Sequence, residues 1–238
     1  MKLVIACFLV FALCFQAGTL AIDSYLLAIQ WPKSFCNSLT GNDSCTSVPN
    51  HFTIHGFWPQ MANGTPVPAP PVIQPFNISL VKNDPALYQT MQKIWPGITV
   101  KKPNAQFWEH EWDKHGAFSS FTQHDYFEIA VERANDLGVL QLVQELNKPP
   151  AGIIIGKKYT VQYFKNAIQA VVRLKLGKTL DKGIKCNNDL TPPRPKQPVI
   201  QIFEIRFCTD NTGLQFINCS SMSGAPCSSI GAYALPPP

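Results

Sequence analysis

FWEHEWDKHG, residues 107–116, places His110, Glu111, Lys114 and His115 within six positions, among Phe107, Trp108 and Trp112. Wound as a helix at about 100° per residue with His110 at zero, it puts Lys114 at about 40°, Glu111 at about 100° and His115 at about 140°. These side chains share one broad face. Trp108 and Trp112, at about 160° and about 200° on the same count, can pack the helix down beside that face. A solvated amphipathic helix with a Glu–Lys pair would be the bland alternative, worth only tenths of a kcal/mol. Against it stands the doubled histidine, since the whole chain has only five. Zinc is a poor fit. The H-E-x-x-H pattern sets its histidines four apart, about 40° around a helix, whereas these are five apart, at about 140°. No metal and no cofactor is expected.

A metal-free group of His, His, Glu and Lys suits phosphodiester cleavage. Histidine moves protons near neutral pH, and lysine or a cationic histidine stabilises a developing anion. In RNA, a base takes the 2′-hydroxyl proton and an acid protonates the leaving 5′-oxygen from the opposite side of phosphorus. One helix face cannot easily supply both, so a further histidine is required. His55 in FTIHGFWP (52–59) is the candidate. Gly56 beside it permits close approach to the backbone, and Trp58 offers a stacking surface for a base. His51 and His124 are read as ordinary polar residues, and Trp31 and Trp95 as core.

The chain has 238 residues, 45% of them hydrophobic and 15% charged, which suits one domain with a real core and argues against disorder. Residues 1–21 have a basic start at Lys2, an apolar run from Leu3 to Phe15 and small residues up to Ala21. They read as a secretory signal peptide preceding a domain at 22–238, and the run is too short for a membrane anchor. Of eight cysteines, six lie beyond that leader: Cys36, Cys45, Cys186, Cys208, Cys219 and Cys227. An even number in a secreted chain predicts three disulfides. Cys36 and Cys45 form a local loop, and the last four staple the C-terminal part in a pairing that spacing leaves open. Secretion gives meaning to the sequons at Asn42, Asn63, Asn77 and Asn218; Pro66 follows that of Asn63 closely. The net charge of +5 fits an anionic partner.

Segments 24–31 and 51–58 read as strands, ended by Pro32 and Pro59. Prolines across 63–76 mark an extended loop. Helices are expected at 85–94, 105–120, 125–147 with a break at Gly138, and 161–176 between a Thr160 cap and a Gly177 stop. VIQIFEIRFC (199–208) and GLQFINC (213–219) read as strands joined by a turn, and the terminal ALPPP as a flexible tail. The pattern predicts a single α+β domain with a central, mainly antiparallel sheet flanked by helices.

FTIHGFWP and FWEHEWDKHG together resemble the two active-site segments of the ribonuclease T2 family. QWP, YTVQYFKNAIQAV, IKCN and EIRFC extend the likeness over nearly the whole mature chain. The resemblance implies that His55 and His115 form the acid–base pair and that His110 helps hold the phosphate. It implies that Glu111 and Lys114 support the transition state, and that Trp58 belongs to a base-binding site. Gln60 stands where some relatives carry a base-reading acid. The implied reaction is metal-free endonucleolytic transesterification of single-stranded RNA by a monomer. The likeness also implies nested disulfides, Cys186 with Cys227 and Cys208 with Cys219. One departure is KHGAF, where Phe118 replaces a usual cysteine whose partner is missing as well. Within the family, the basic, glycosylated chain is most similar to the pistil S-ribonucleases of self-incompatibility. Those enter pollen tubes and are removed there through pollen F-box proteins. An S-like ribonuclease of phosphate recycling or defence is the alternative, and a non-catalytic storage or binding protein is the alternative of another class.

Overall fold

The computed structural model describes residues 21–69, 74–192, 199–219 and 227–238. The expected leader therefore lies, apart from Ala21, outside the described residues. In chain order the elements are β1 (Ser24–Gln30), α1 (Pro32–Asn37), β2 (Thr53–Gln60), α2 (Ile78–Lys82), α3 (Pro85–Ile94), α4 (Asn104–Lys114), α5 (Gln123–Asp136), α6 (Leu142–Asn147), β3 (Tyr159–Thr160), α7 (Val161–Leu176), β4 (Gly183–Asp189), β5 (Val199–Asp210), β6 (Phe216–Ile217) and β7 (Ala232–Tyr233).

SYLLAIQ lacks the polar alternation of a half-exposed strand, and every residue of β1 is buried. A strand covered on both faces belongs inside a sheet. Accordingly, β1 lies between β2 and β5 in the order β2-β1-β5-β4, with β6 on β5 and every pairing antiparallel. The expected α+β architecture is present. β2 runs on through Pro59, where the sequence suggested a stop. It is the outer strand of that order, and an outer strand tolerates a proline whose missing N–H would face away from the ladder. β4, GIKCNND, was not foreseen; its polar residues give no period-2 signal, and pairing along β5 holds it.

Tyr25, Leu27 and Ile29 join Trp31, Trp95, Trp108 and Trp112 in one contiguous core, each at most 1% exposed. Trp31 and Trp95 are core residues, as expected. The helices follow their end signals. Thr160 accepts from the Tyr163 amide at 3.2 Å, and Gly177, at φ 66°, ends α7 in the left-handed region that glycine enters without strain. A second left-handed glycine, Gly138, separates α5 from α6. The single helix expected over 105–120 stops at Lys114 instead. His115 has φ −142° and ψ −51°, outside the helical range, and a short 3-10 turn follows at Gly116–Phe118.

Three disulfides join Cys36 to Cys45, Cys186 to Cys227 and Cys208 to Cys219, including the nested pair that the resemblance implied. The sequon residues Asn42, Asn63, Asn77 and Asn218 are all exposed.

The C-terminal end is docked where composition suggested a flexible tail. Tyr233 and Leu235 are 3% and 1% exposed, and the Trp31 indole donates to the Pro236 carbonyl at 2.8 Å. Leu235 lies against the core, and the Ile202 amide donates to the Ala234 carbonyl. Proline, with no N–H to satisfy, does not hinder an end held through its carbonyls. Deleting 232–238 is therefore expected to destabilise the fold by about 3 kcal/mol or more, from lost apolar burial and an orphaned indole donor. Thermal melts of the full and shortened chains check this; equal midpoints would contradict the docking.

Candidate active site

His55 owes its direction to an irregularity in β2. Ala28 pairs with Gly56 and Ile29 with Ile54, so His55 is the extra residue of a β-bulge. A bulge turns a side chain out of the ladder's alternation. The His55 ring lies near Phe203 and Phe107, at centroid distances of 6.0 and 6.4 Å. Its Nδ1 is 3.4 Å from Glu204 Oε2.

α4 presents the second group. Trp108 and Trp112 anchor the helix in the core, their indoles donating to the carbonyls of Trp95 and Gln74 at 2.7 Å each. That leaves Glu111 buried at 3% exposure, His110 partly exposed and Lys114 exposed. His115 does not share their helical face. It is the residue at which the helix has ended, and its backbone turns the ring toward β2. The two strand and helix segments meet at Trp58. The indole donates to Glu111 Oε2 at 2.9 Å, and its ring lies 5.2 Å from His55 and 5.4 Å from His115. The Arg206 guanidinium stands over the same ring at 5.1 Å, within cation–π range.

The structure thus gathers His55, Trp58, His110, Glu111 and His115, with Lys114 at the rim. Gln60 is not brought to them. It is 2% exposed, and its amide donates to the Trp58 and Pro59 carbonyls at 3.2 and 3.0 Å. A side chain so enclosed would reach a base only if the strand end opened. Three groups went unseen in the sequence reading. Lys102 lines the cleft, a space of about 190 Å³ walled also by His55, His110, Glu111, Phe107 and Ile98. Glu204 and Arg206 alternate on β5 opposite Gln30 and Ala28. Two opposite charges spaced i, i+2 between the apolar residues Phe203, Ile205 and Phe207 were the available signal.

Local fields separate the titrating groups. Burial pushes His115 down to about 3, with help from the neighbouring charges of His110, His55 and Lys114. Burial, then Lys102 and Lys114, also lowers His110. Burial acts downward on His55 too, but the Glu204 hydrogen bond and charge, with the charge of Glu111, more than offset it and leave His55 raised. Burial lifts Glu111 to about 7 against the pull of His55, Trp58 and Lys102. Two imidazoles beside one indole therefore prefer opposite proton states.

Among the described residues, a set able to ligate a metal is Asp84, His124 and Glu128, with donor atoms within 4.8 Å of one another. These have a structural use. Asp84 caps α3 through the Ala86 and Leu87 amides, and His124 bridges Asp84 at 3.3 Å and Glu128 at 3.8 Å, pinning α3 to α5. His51 bonds the Lys93 carbonyl. Neither histidine joins the cleft.

Two imidazoles of opposite proton preference, a carboxyl raised to about 7 and nearby lysines are thus held together by β2 and α4. The chain is 29% identical to ribonuclease MC of Momordica charantia, over 83% of this chain and 94% of that one. It is 30% identical to extracellular ribonuclease LE of Solanum lycopersicum, over 86% and 84%, and 28% to ribonuclease S-7 of Nicotiana alata, over 84% and 82%. Its fold is similar to that of RNase NT, solved in complex with 5′-AMP, with a TM-score of 0.72 and 28% identity over 91% and 99% of the chains. The ribonuclease T2 family model matches residues 22–219, which span β1 to the last cysteine of the β5–β6 hairpin and so both halves of the cleft: the chain belongs to the ribonuclease T2 family.

Proposed function

We propose that this T2-family ribonuclease is a secreted, metal-independent endonuclease that cleaves single-stranded RNA to a 2′,3′-cyclic phosphate. The opposite proton preference of His55 and His115 carries the reading. His115, neutral above about 3, takes the proton of the 2′-hydroxyl as general base. The 2′-oxygen then bonds to phosphorus as the bond from phosphorus to the 5′-oxygen breaks. His55, whose raised affinity for a proton keeps it charged, gives that proton to the leaving 5′-oxygen. Lys114 and His110 hold the charge of the phosphorane, joined by Lys102 on the cleft wall. Glu111 would repel a phosphate if ionised. Raised to about 7, it is largely neutral in mild acid and donates a hydrogen bond instead. Trp58 positions these groups and, with Phe107, supplies aromatic surface beside the bases. Hydrolysis of the cyclic product runs the same proton transfers in reverse.

The purified protein is expected to cleave RNA fully in EDTA and to yield cyclic phosphate termini by mass spectrometry. Loss of cleavage in EDTA, or linear products alone at early times, would overturn the reading. The pH profile is a second check. Activity rises as His115 loses its proton at about 3 and falls as Glu111 ionises at about 7 and His55 loses its own proton, above the ordinary 6.5. A broad acidic plateau of kcat/KM on a dinucleoside phosphate is expected; an alkaline optimum would contradict the assignment.

For the biological role, the net charge of +5 with pI 8.7 favours a pistil S-ribonuclease of self-incompatibility, working with pollen F-box proteins after uptake. An S-like enzyme is the second reading, favoured by the 30% identity to extracellular ribonuclease LE against 28% to ribonuclease S-7. Secretion fits both, and no helix among the described residues is long and apolar enough to cross a membrane. A storage protein on this fold, as in the 27% identical ribonuclease-like storage protein of Panax ginseng, would not need His55, His110, Glu111, Lys114 and His115 together. Protein abundance restricted to styles supports the first role; abundance in leaves or roots supports the second.

A further inference from the structure

Glu204 is an acid in the middle of a sheet. It is 1% exposed, on β5, the strand two places across the sheet from His55. A buried carboxylate without partners would cost several kcal/mol, yet this one is fully engaged. Arg206 Nε donates to its Oε1 at 2.6 Å and Arg206 Nη2 to its Oε2 at 3.4 Å. The same Oε2 faces His55 Nδ1 at 3.4 Å. Arg206 is in turn stacked over Trp58, so the pair is fixed at both ends. Because the ring nitrogens of histidine are distinct, a carboxylate on Nδ1 decides which nitrogen remains for the substrate. None of these β5 residues lies in the two segments that carry the candidate catalytic groups.

We propose that Glu204, braced by Arg206, is a positioning residue that holds the proton on His55 Nδ1 and so presents Nε2 to the leaving 5′-oxygen. The inference rests on the ribonuclease reading for its purpose, but the contact itself is independent of it. Glu204 opposes the burial that would otherwise discharge His55. Its own affinity for a proton is lowered despite burial, through the His55 hydrogen bond and charge and the charge of Arg206. The other charges facing His55 are Arg206 from β5, Glu111 and His110 from α4, His115 just beyond it, and Lys102 and Asp43 on the loops that wall the same cleft. Lys185 of β4 lies in register with Glu204. Of these, Glu204 makes the side-chain hydrogen bond to the ring and supplies the largest upward effect on it.

The first measurement needs no variant. Long-range proton–nitrogen NMR of the intact protein, above the His55 titration midpoint, reads the tautomer of the neutral ring. The proposal expects the proton on Nδ1, whereas free imidazole side chains in water prefer it on Nε2; a proton on Nε2 would overturn it. The second compares Glu204→Gln and Glu204→Asp with the intact chain. In the glutamine variant the His55 midpoint is expected to fall by at least about one unit, and the alkaline limb of kcat/KM to move with it, a loss of about tenfold at neutral pH. KM stays nearly constant, and the aspartate variant restores part of the shift. A folded glutamine variant with an unmoved His55 midpoint would overturn the proposal even if its activity fell. If the intact protein cleaved no RNA while its His55 midpoint still depended on Glu204, the ribonuclease reading would fail and the pairing would stand.

Discussion

Replacing His115 with alanine is expected to lower kcat/KM on RNA by about three orders of magnitude, within the range that a general base contributes, and to leave KM and the melting temperature nearly unchanged. His115 is the cleaner of the two imidazoles to remove. It is only partly buried, and no side-chain hydrogen bond holds its ring among the described residues. Removing His55 instead would strip Glu204, 1% exposed, of a partner; part of any loss would then reflect a buried charge left short of partners. The acid-side limb of the pH profile offers a sharper diagnosis than the rate. That limb belongs to His115, held at about 3, and should vanish in the variant while the His55 limb stays in place. Added imidazole should restore some rate through the space the ring leaves. A loss below tenfold, or an unchanged acid limb, would remove His115 from the base role.

The helix geometry that drew attention to His115 was the least accurate part of the sequence reading. It placed His110 and His115 about 140° apart on one helix, but α4 ends at Lys114 and His115 follows in a conformation that is neither helical nor extended. No local residue announces that stop: His-Gly follows, and Gly116 matters for packing, since a Cβ there would lie 2.4 Å from Trp112 Cε3. The core strand β1 was legible because a fully apolar run has few alternatives, and α7 because both its cap and its stop are local. The second half of the site was legible only through motif likeness. His55 reaches it by a bulge, which is set by pairing with β1 and leaves no mark in FTIHGFWP itself. Glu204 and Arg206 are about 150 residues from His55, an ion-pair separation of 149 for Glu204. Their function depends on sheet order β2-β1-β5, which the reading of individual strands did not supply. The direction of Gln60 was hidden for a related reason: its position after Trp58 suggested contact with substrate, and strand pairing turns the amide inward.

Gly56 carries the other large effect, and its reason is space. Its backbone does not require glycine, since its φ is outside the positive range. A Cβ at this position would lie 2.0 Å from Trp58 Nε1 and 2.3 Å from Glu111 Oε2, the two atoms that form the hydrogen bond at the centre of the site. Neither is the free end of a flexible chain. The indole is held by Glu111 and Arg206, and the carboxyl by a helix anchored through two buried tryptophans. Gly56→Ala is therefore expected to displace Trp58, break its bond to Glu111 and leave a 3% exposed carboxyl without that donor. Overpacking and the orphaned acceptor together predict a destabilisation of about 2–4 kcal/mol. The loss in kcat/KM should exceed about a hundredfold, because small misplacements of catalytic groups are costly. A second substitution separates the two effects. With Trp58→Phe added, the indole nitrogen that met the methyl is gone, so the melting temperature should recover part of its fall, the rest reflecting the 2.3 Å approach to Glu111 Oε2 and the missing donor. Activity should not recover, since Glu111 still lacks its donor and both imidazoles still lack the ring that spaces them. Recovery of both together would mean that Trp58 only fills space; recovery of stability alone identifies the Gly56–Trp58–Glu111 contact as the element that sets the geometry of the cleft.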